Sequence, residues 1–308
     1  MLLRPSGSVE TMRLVRDRAE VQVPATSANL GPGFDAFGLA LSVHDVVRVR
    51  ATTGATHVRV DGAGQGEVPD GEDHLVVRAM RIALDQVGAP QAGLELHCTN
   101  AIPHGRGMGS SAAAVVAGIV AVRALISEPE ALDDDLVLQL ATELEGHTDN
   151  AAPALHGGVT IAWIDEGAAH AAGLDAAELG PLSVLVPRHR LPTRRARAAL
   201  PRTVAHGDAA KNVARAGLLT LALTTRPDLL MAATADWLHQ EYRAETMPET
   251  VGLVRTLREA GWPAVVSGAG PAVLVLGELG AAQAAQLPEG WRVRRPSLDR
   301  DGARVLAD

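Results

Sequence analysis

The sequence predicts an α+β protein built as two domains. Strand-like and helix-like segments are interleaved by short links, but they lack the regular βαβ rhythm of a doubly wound sheet. The chain has 308 residues, the length of two ordinary domains. Near its middle, around EGAAHAAGLDAAELG, the periodicity fades into small residues. The expected division is an extension at 1–17, a first domain at 18–168 and a second at 169–308.

The elements follow in order. The opening MLLRPSGSVETMRLVRD reads as a loose, polar extension. AEVQVPA alternates like a strand, with Pro24 expected to end it. SVHDVVRVRAT (42–52) and THVRV are further strands, and GAGQGEVPDGED is a turn-rich loop. DHLVVRAMRIALDQVG has apolar residues at helical spacing, with Asp73 as the expected N-cap. LELHCT is a short strand. ALDDDLVLQLATELEG is a helix whose acidic first turn suits the positive end of its dipole. HTDNAAPALHGG leads into a short helix and GVTIAWID into a strand. In the second half, LSVLVP is a strand. TRRARAAL, GDAAKNVARAGLLTLAL and DLLMAATADWLHQEY read as helices. ETVGLVRTLREAG is an amphipathic helix closed by Gly261. AVVSGAGPAVLVLGE reads strand–turn–strand, AAQAAQL a short helix, and WRVRRPSL a last strand.

Composition narrows the function. Aromatic residues are 2% of the chain against 47% hydrophobic overall, so Val, Leu and Ala must fill the cores. The net charge is −8 and no basic run is interleaved with aromatics, which argues against a nucleic-acid partner. The lone cysteine, Cys98, can form no disulfide within the chain and fits a reducing compartment. The N-terminus is too polar for a signal peptide. The longest apolar run, in 111–122, is too short to span a bilayer. A cytoplasmic protein with no membrane partner is expected.

The most informative stretch is IPHGRGMGSSAAAVVAGIVAV (102–122). Gly105, Gly107 and Gly109 alternate into Ser110, Ser111 and a long Ala/Val helix. A helix N-terminus offers unpaired N–H groups and partial positive charge. Glycines before it let an anion approach the backbone, and the serine hydroxyls can bond phosphate oxygens or ligate Mg²⁺. The bland alternative is a tight turn with Ser110 as an ordinary N-cap. GAGQG at 62–66 shows how readily glycines cluster without a helix behind them.

Other segments decide between these readings. PHGRGMGSSAA resembles the GHMP kinase signature P-x-x-x-G-L-G-S-S-x-A, with Met108 in the leucine place, and SGAGPAVLVL (267–276) resembles that family's third motif. VPATSANLGPGFDAFGLAL (23–41) and ELEGHTDNAAPALHGG (143–158) are similar to homoserine kinases in particular, as are LPTRRARAALP (191–201) and HQEYRAETMP (239–248). The resemblance spans about residues 21–276. It departs at Thr148, where proline is usual, at Ala272, where Ser or Thr is usual, and at His74, where asparagine is common.

The resemblance implies a two-domain GHMP kinase fold. The N-terminal half would resemble ribosomal protein S5 domain 2, the C-terminal half would be ferredoxin-like, and the site would lie between them. It implies that Pro103, His104, Gly105, Arg106, Gly107, Met108, Gly109, Ser110, Ser111, Ala112 and Ala113 wrap the phosphates of ATP. It implies Mg²⁺ on Ser111 and on Glu145, with Glu143 as the alternative, and L-homoserine as the phosphate acceptor, in threonine biosynthesis. Asn29, Asp35, His147, Asn150, Arg197 and Arg243 would surround the amino acid. Asp35 suits its ammonium and the two arginines its carboxylate. Asn150 would orient the δ-hydroxyl, with Thr193 near the transferred phosphate. Asp149 is a tempting base. The aspartate of mevalonate kinase-like relatives, however, lies seven residues before the glycine pair, where this chain has Asn150. Transfer without a side-chain base is therefore implied. Similar enzymes often form homodimers, and no interface is legible here. The rivals are a kinase of mevalonate or another isoprenoid precursor, and a nucleotide-binding module without catalysis.

Overall fold

A computed structural model describes residues 12–307, so most of the expected extension lies outside the described residues. The first half runs β1 (Arg18–Ala28), β2 (Phe37–Thr52), β3 (His57–Gly62), α1 (Leu75–Gln86), β4 (Gly93–Asn100) and α2 (Ser110–Leu125). It continues with α3 (Asp134–Glu145), α4 (Ala151–His156), β5 (Val159–Asp165) and β6 (Ala168–Leu174). The second half runs β7 (Ser183–Val186), α5 (Thr193–Ala198), α6 (His206–Thr224), α7 (Leu230–Ala233) and α8 (Pro248–Glu259). It ends with β8 (Ala264–Val266), β9 (Val273–Val275), α9 (Ala281–Ala284), β10 (Arg292–Arg294) and β11 (Arg304–Val305).

Two sheets result. The larger has the order β11-β1-β2-β4-β3, with β5 pairing β2 and β6 pairing β5. Only β3 and β4 run parallel, which a crossover through α1 makes possible. The smaller sheet has the order β10-β7-β9-β8, antiparallel throughout. Counted within its half, that is the 4-1-3-2 order of a ferredoxin-like sheet.

α2 is the pivot of the first half. Between its first turn and Arg123 it is apolar nearly all round, as a largely enclosed helix must be. It packs on β1, α1 and α3. At Gly118 a Cβ would come within 2.7 Å of the Val76 carbonyl, so the glycine sets how closely α1 approaches. The extensive first core draws in α6 and parts of the second sheet. A smaller one gathers β8, β9 and α8 around Met247, Val254 and Trp291.

Four expectations are corrected. Pro24 does not end β1: the register shifts between Pro24 and Ala25 and the strand continues to Ala28. The irregularity absorbs a residue that has no N–H to give the ladder. Asp73 does not cap α1. It closes a 3₁₀ turn at Gly71–Asp73, and His74 takes the cap position without a side-chain bond. The helix expected over 228–242 stops after Ala233, where the Asp236 carboxylate accepts from the N–H groups of Leu238, His239 and Gln240. Those local bonds replace helical ones. Finally, the segment expected to open the second domain contains β6, which pairs along its length with β5. The break between the sheets follows Leu174, and β11 returns from the chain's end to pair with β1.

Candidate active site

The glycine loop sits at the seam of the two halves. At Gly107 φ is +72°, and a Cβ would meet the Ser267 carbonyl at 2.2 Å. At Gly109 φ is +69°, and a Cβ would strike Thr26 Oγ1 at 1.8 Å. No side chain fits either place. Gly109 is the N-cap of α2, so Ser110 and Ser111 form the helix's first turn rather than its cap. Ser267 donates to the Gly107 carbonyl at 2.6 Å and lies 2.8 Å from Ser27 Oγ, so the SGAGPA turn braces the loop. Arg106 donates to the carbonyls of His104, Pro187 and Arg188. Its guanidinium therefore ties the loop to the second half rather than facing an anion.

A cleft of about 520 Å³ opens above this loop. Gly105, Gly107, Met108, Gly109, Ser110 and Ser111 line it from the loop and Glu145, His147, Asp149 and Asn150 from the stretch between α3 and α4; Asn29, Thr193, Arg197 and Arg243 are among the other lining residues. Of the expected residues, Asp35, Pro103, His104, Arg106, Ala112 and Ala113 do not line it. Ala112 and Ala113 are buried in the core. His104, with Ser110, Ser111 and Ala113, borders a second, largely apolar cavity of about 230 Å³ against β2 and α1.

The geometry separates the two glutamates. Ser111 Oγ donates to Glu145 Oε1 at 2.5 Å. Burial raises the Glu145 pKa above the ordinary value despite that bond and the nearby His147. Glu143 is exposed and accepts from Gln139. Next along the chain, His147 Nδ1 lies 3.2 Å from Asp149 Oδ1. The two are not aligned for a hydrogen bond, which leaves Nδ1 buried and unpartnered. Burial opposes charge on His147, but the Asp149 and Glu145 carboxylates outweigh it and raise its pKa. Asp149 is 2% exposed. Asn150 accepts from Thr26 Oγ1 at 2.8 Å and donates to Asp149 at 3.2 Å, which fixes how its amide faces the cleft.

On the opposite side, Asn29 spends its amide on the backbone. It donates to the Gly268 carbonyl and accepts from the Asp35 N–H. That bond holds Asp35 at φ +55°. The Asp35 carboxylate takes a forked pair of bonds from Arg197, at 3.0 and 2.6 Å. Arg243 is 1% exposed. Its Nη1 donates to Gly268 O and His239 Nδ1, its Nε has no partner, and burial lowers its pKa to about 10. Both guanidiniums lie over the Phe34 ring, at 5.7 and 5.8 Å. Phe34 reads in the sequence only as a hydrophobic anchor, and nothing local marks it as the post that two distant arginines share.

The cleft thus sets a lysine-free anion cradle and a buried carboxylate facing two guanidiniums. That arrangement suits a kinase of small, charged molecules. Residues 74–158 match the N-terminal domain of the GHMP kinases and residues 218–288 their C-terminal domain. The chain is 53% identical to the homoserine kinase of Streptomyces avermitilis, covering 93% of this chain and 95% of that one. It is 54% identical to that of Clavibacter michiganensis, over 84% and 83%. The crystal structure of homoserine kinase from Cytophaga hutchinsonii superposes with a TM-score of 0.80 at 25% identity, covering 95% of this chain and 98% of that one. The chain belongs to the GHMP kinases, and within them to the homoserine kinases.

Proposed function

We propose that the protein transfers the γ-phosphoryl group of ATP to the δ-hydroxyl of L-homoserine. The products are ADP and O-phospho-L-homoserine, and the step belongs to threonine biosynthesis. One observation supports this reading above the others. Two guanidiniums and a carboxylate meet across a single cleft from a glycine loop, so an amino acid and a polyphosphate fit side by side. The phosphates would lie on the backbone N–H groups of 107–111, where close approach and helix polarity favour them. The adjoining apolar cavity, reached past Ser110 and Ser111, has room for the nucleobase.

Mg²⁺ fits the donor set. Among the described residues no cluster of three or more His, Cys, Asp or Glu could hold a metal alone. One carboxylate, Glu145, and one hydroxyl, Ser111, already touch, and that suits an ion that takes its remaining oxygens from phosphates and water. When bound, Mg²⁺ supplies positive charge to the transferring group. Arg197 and Arg243 would take the substrate carboxylate, Asp35 its ammonium, and Asn150 and His147 its remaining polar atoms. Asn150 cannot serve as a base. A loose transition state leaves the work to alignment and charge neutralisation, with Thr193 at the mouth of the cleft. We also place the reaction in the cytoplasm, where a lone buried thiol such as Cys98 stays reduced.

ADP release with Mg-ATP against L-homoserine, D-homoserine, L-threonine, mevalonate and galactose tests the proposal. Rapid turnover on L-homoserine alone is expected. Turnover on mevalonate instead would keep the phosphate cradle and overturn the acceptor.

A further inference from the structure

The glycine loop has no lysine, and most arginines around it are engaged elsewhere. Arg106 is held by three carbonyls, Arg190 by Glu67, Arg197 by Asp35, and Arg243 by Gly268 and His239. Arg194 is the exception. It lines the cleft, is exposed, and has neither a hydrogen-bond nor an ion-pair partner among the described residues. No carboxylate near it in the chain competes for it. Between Glu178 and Asp208 there is no Asp or Glu, yet Arg188, Arg190, Arg194, Arg195, Arg197 and Arg202 all fall there, in a chain of net charge −8. Its position along the chain matters as much. Three residues before it, Leu191 donates to the Gly105 carbonyl, which sets that end of the segment on the glycine loop. Three residues after it, Arg197 holds Asp35, at the end of the cleft that suits the acceptor. Leu191, Arg194 and Arg197 all line the cleft, and residues three apart on α5 share a helix face. Arg194 therefore stands between the phosphate cradle and the acceptor's place, beside the gap that a phosphoryl group must cross. Its neighbour Arg195 does not line the cleft.

Resting on the phosphoryl-transfer reading above, we propose that Arg194 is a catalytic residue whose guanidinium contacts the outermost phosphate of ATP and neutralises it during transfer. In that step the acceptor's hydroxyl oxygen bonds the γ-phosphorus. The bridging oxygen stays with ADP and keeps the electron pair of the bond that breaks, and the hydroxyl proton leaves to water. The moving group carries its charge on outer oxygens, and a planar guanidinium can bond two of them at once. The backbone N–H groups of the loop serve the phosphates from the first half; Arg194 meets the outermost one from the second. This is the positive charge that the loop itself lacks.

Calorimetry with ADP and with the non-hydrolysable ATP analogue AMP-PNP, each with Mg²⁺, separates this role from a structural one. Arg194→Ala should weaken AMP-PNP about tenfold and leave ADP within about twofold. The retained ADP binding shows that the variant is folded. Equal weakening of both nucleotides, or of neither, would overturn the proposal. In turnover, Arg194→Ala should lower kcat about 100-fold or more with the KM for L-homoserine within about threefold, whereas Arg195→Ala, which removes the same charge one position on, should stay within about twofold of wild type. Equal losses from the two substitutions would mean a general positive field rather than a contact, and would also overturn it. The unaltered protein provides a test that no folding defect can spoil. Phenylglyoxal should modify Arg194, located by mass spectrometry, at least about fivefold more slowly with AMP-PNP bound than with ADP bound. Equal rates would count against the contact. Failure of the underlying reading shows separately, as no ADP release by the unaltered protein on L-homoserine.

Discussion

Glu145 carries its charge where water reaches it poorly, and that sets its behaviour. Burial raises its pKa above the ordinary glutamate value, so its carboxyl takes up protons at a pH where an exposed glutamate is still ionised. A metal needs the ionised form. The acid limb of kcat should therefore stand above pH 4.5, the ordinary value, and move to lower pH as Mg²⁺ is raised. Glu145→Gln should lower kcat by about 100-fold or more, as loss of a charge partner at a transferring group does. Glu143→Gln, on the exposed face, should stay within about twofold of wild type. Steady-state kinetics at two Mg²⁺ concentrations checks all three. The sequence holds half of this answer. Residues two apart on a helix point to different faces, so only one of the two glutamates can face the loop. Which one depends on how α3 lies against α2, and that is a fact of packing. The Asp35–Arg197 contact was hidden for a similar reason, because 162 residues separate its partners.

At the scale of elements, the junction between β4 and the glycine loop hangs on β2. Asp45 accepts from the N–H groups of Ala101 and Ile102, at 2.7 and 2.8 Å, just before the loop begins. Desolvation dominates its environment and raises its pKa from 3.8 to about 6, despite those bonds. The folded protein thus holds this proton more tightly than the unfolded chain. Stability from this group is full below pH 3.8 and declines until the pH passes about 6. Asp45→Asn keeps an acceptor for both amides and removes the buried charge. It should raise the melting temperature more at pH 8 than at pH 4.5, with a ceiling of about 3 kcal/mol. Thermal melts at the two pH values decide it. Elements with strong local patterns were legible: the glycine spacing gave the loop, and helical periodicity gave α1, α3 and α8. The early end of α7 was not, because Asp236 redirects the backbone through bonds that periodicity does not register. Nor was β11, whose two residues are a strand only because β1 is there to pair with them.

The whole molecule is closed by its own last residues. After β10, Ser297 bonds Ser42, the Asp299 carboxylate holds His44 at 2.6 Å, and β11 lies on β1. The chain therefore crosses between the two sheets twice, once near residue 175 and again near residue 296. A single cut at the exposed Gly180, in the link between the sheets, should leave the fragments together in native gel filtration, and only denaturant should part them. Separation of the fragments without denaturant would show that β11 contributes little to holding the halves. The two-domain α+β class was legible, but the loss of periodicity over 166–180 did not mark a break, because β6 lies within it. The return of the tail was not, since no property of residues 297–306 names its distant partner.

The bracing of the glycine loop has a further result. Its anchors come from residues far along the chain: Ser267 fixes Gly107, the carbonyls of Pro187 and Arg188 hold Arg106, and Leu191 donates to Gly105. The motif that names the family is thus written in one half and shaped by the other. A fragment ending near residue 174 would contain every letter of the signature and yet be nearly blind to nucleotide. For this architecture, the loop takes its shape only when the second half stands beside it.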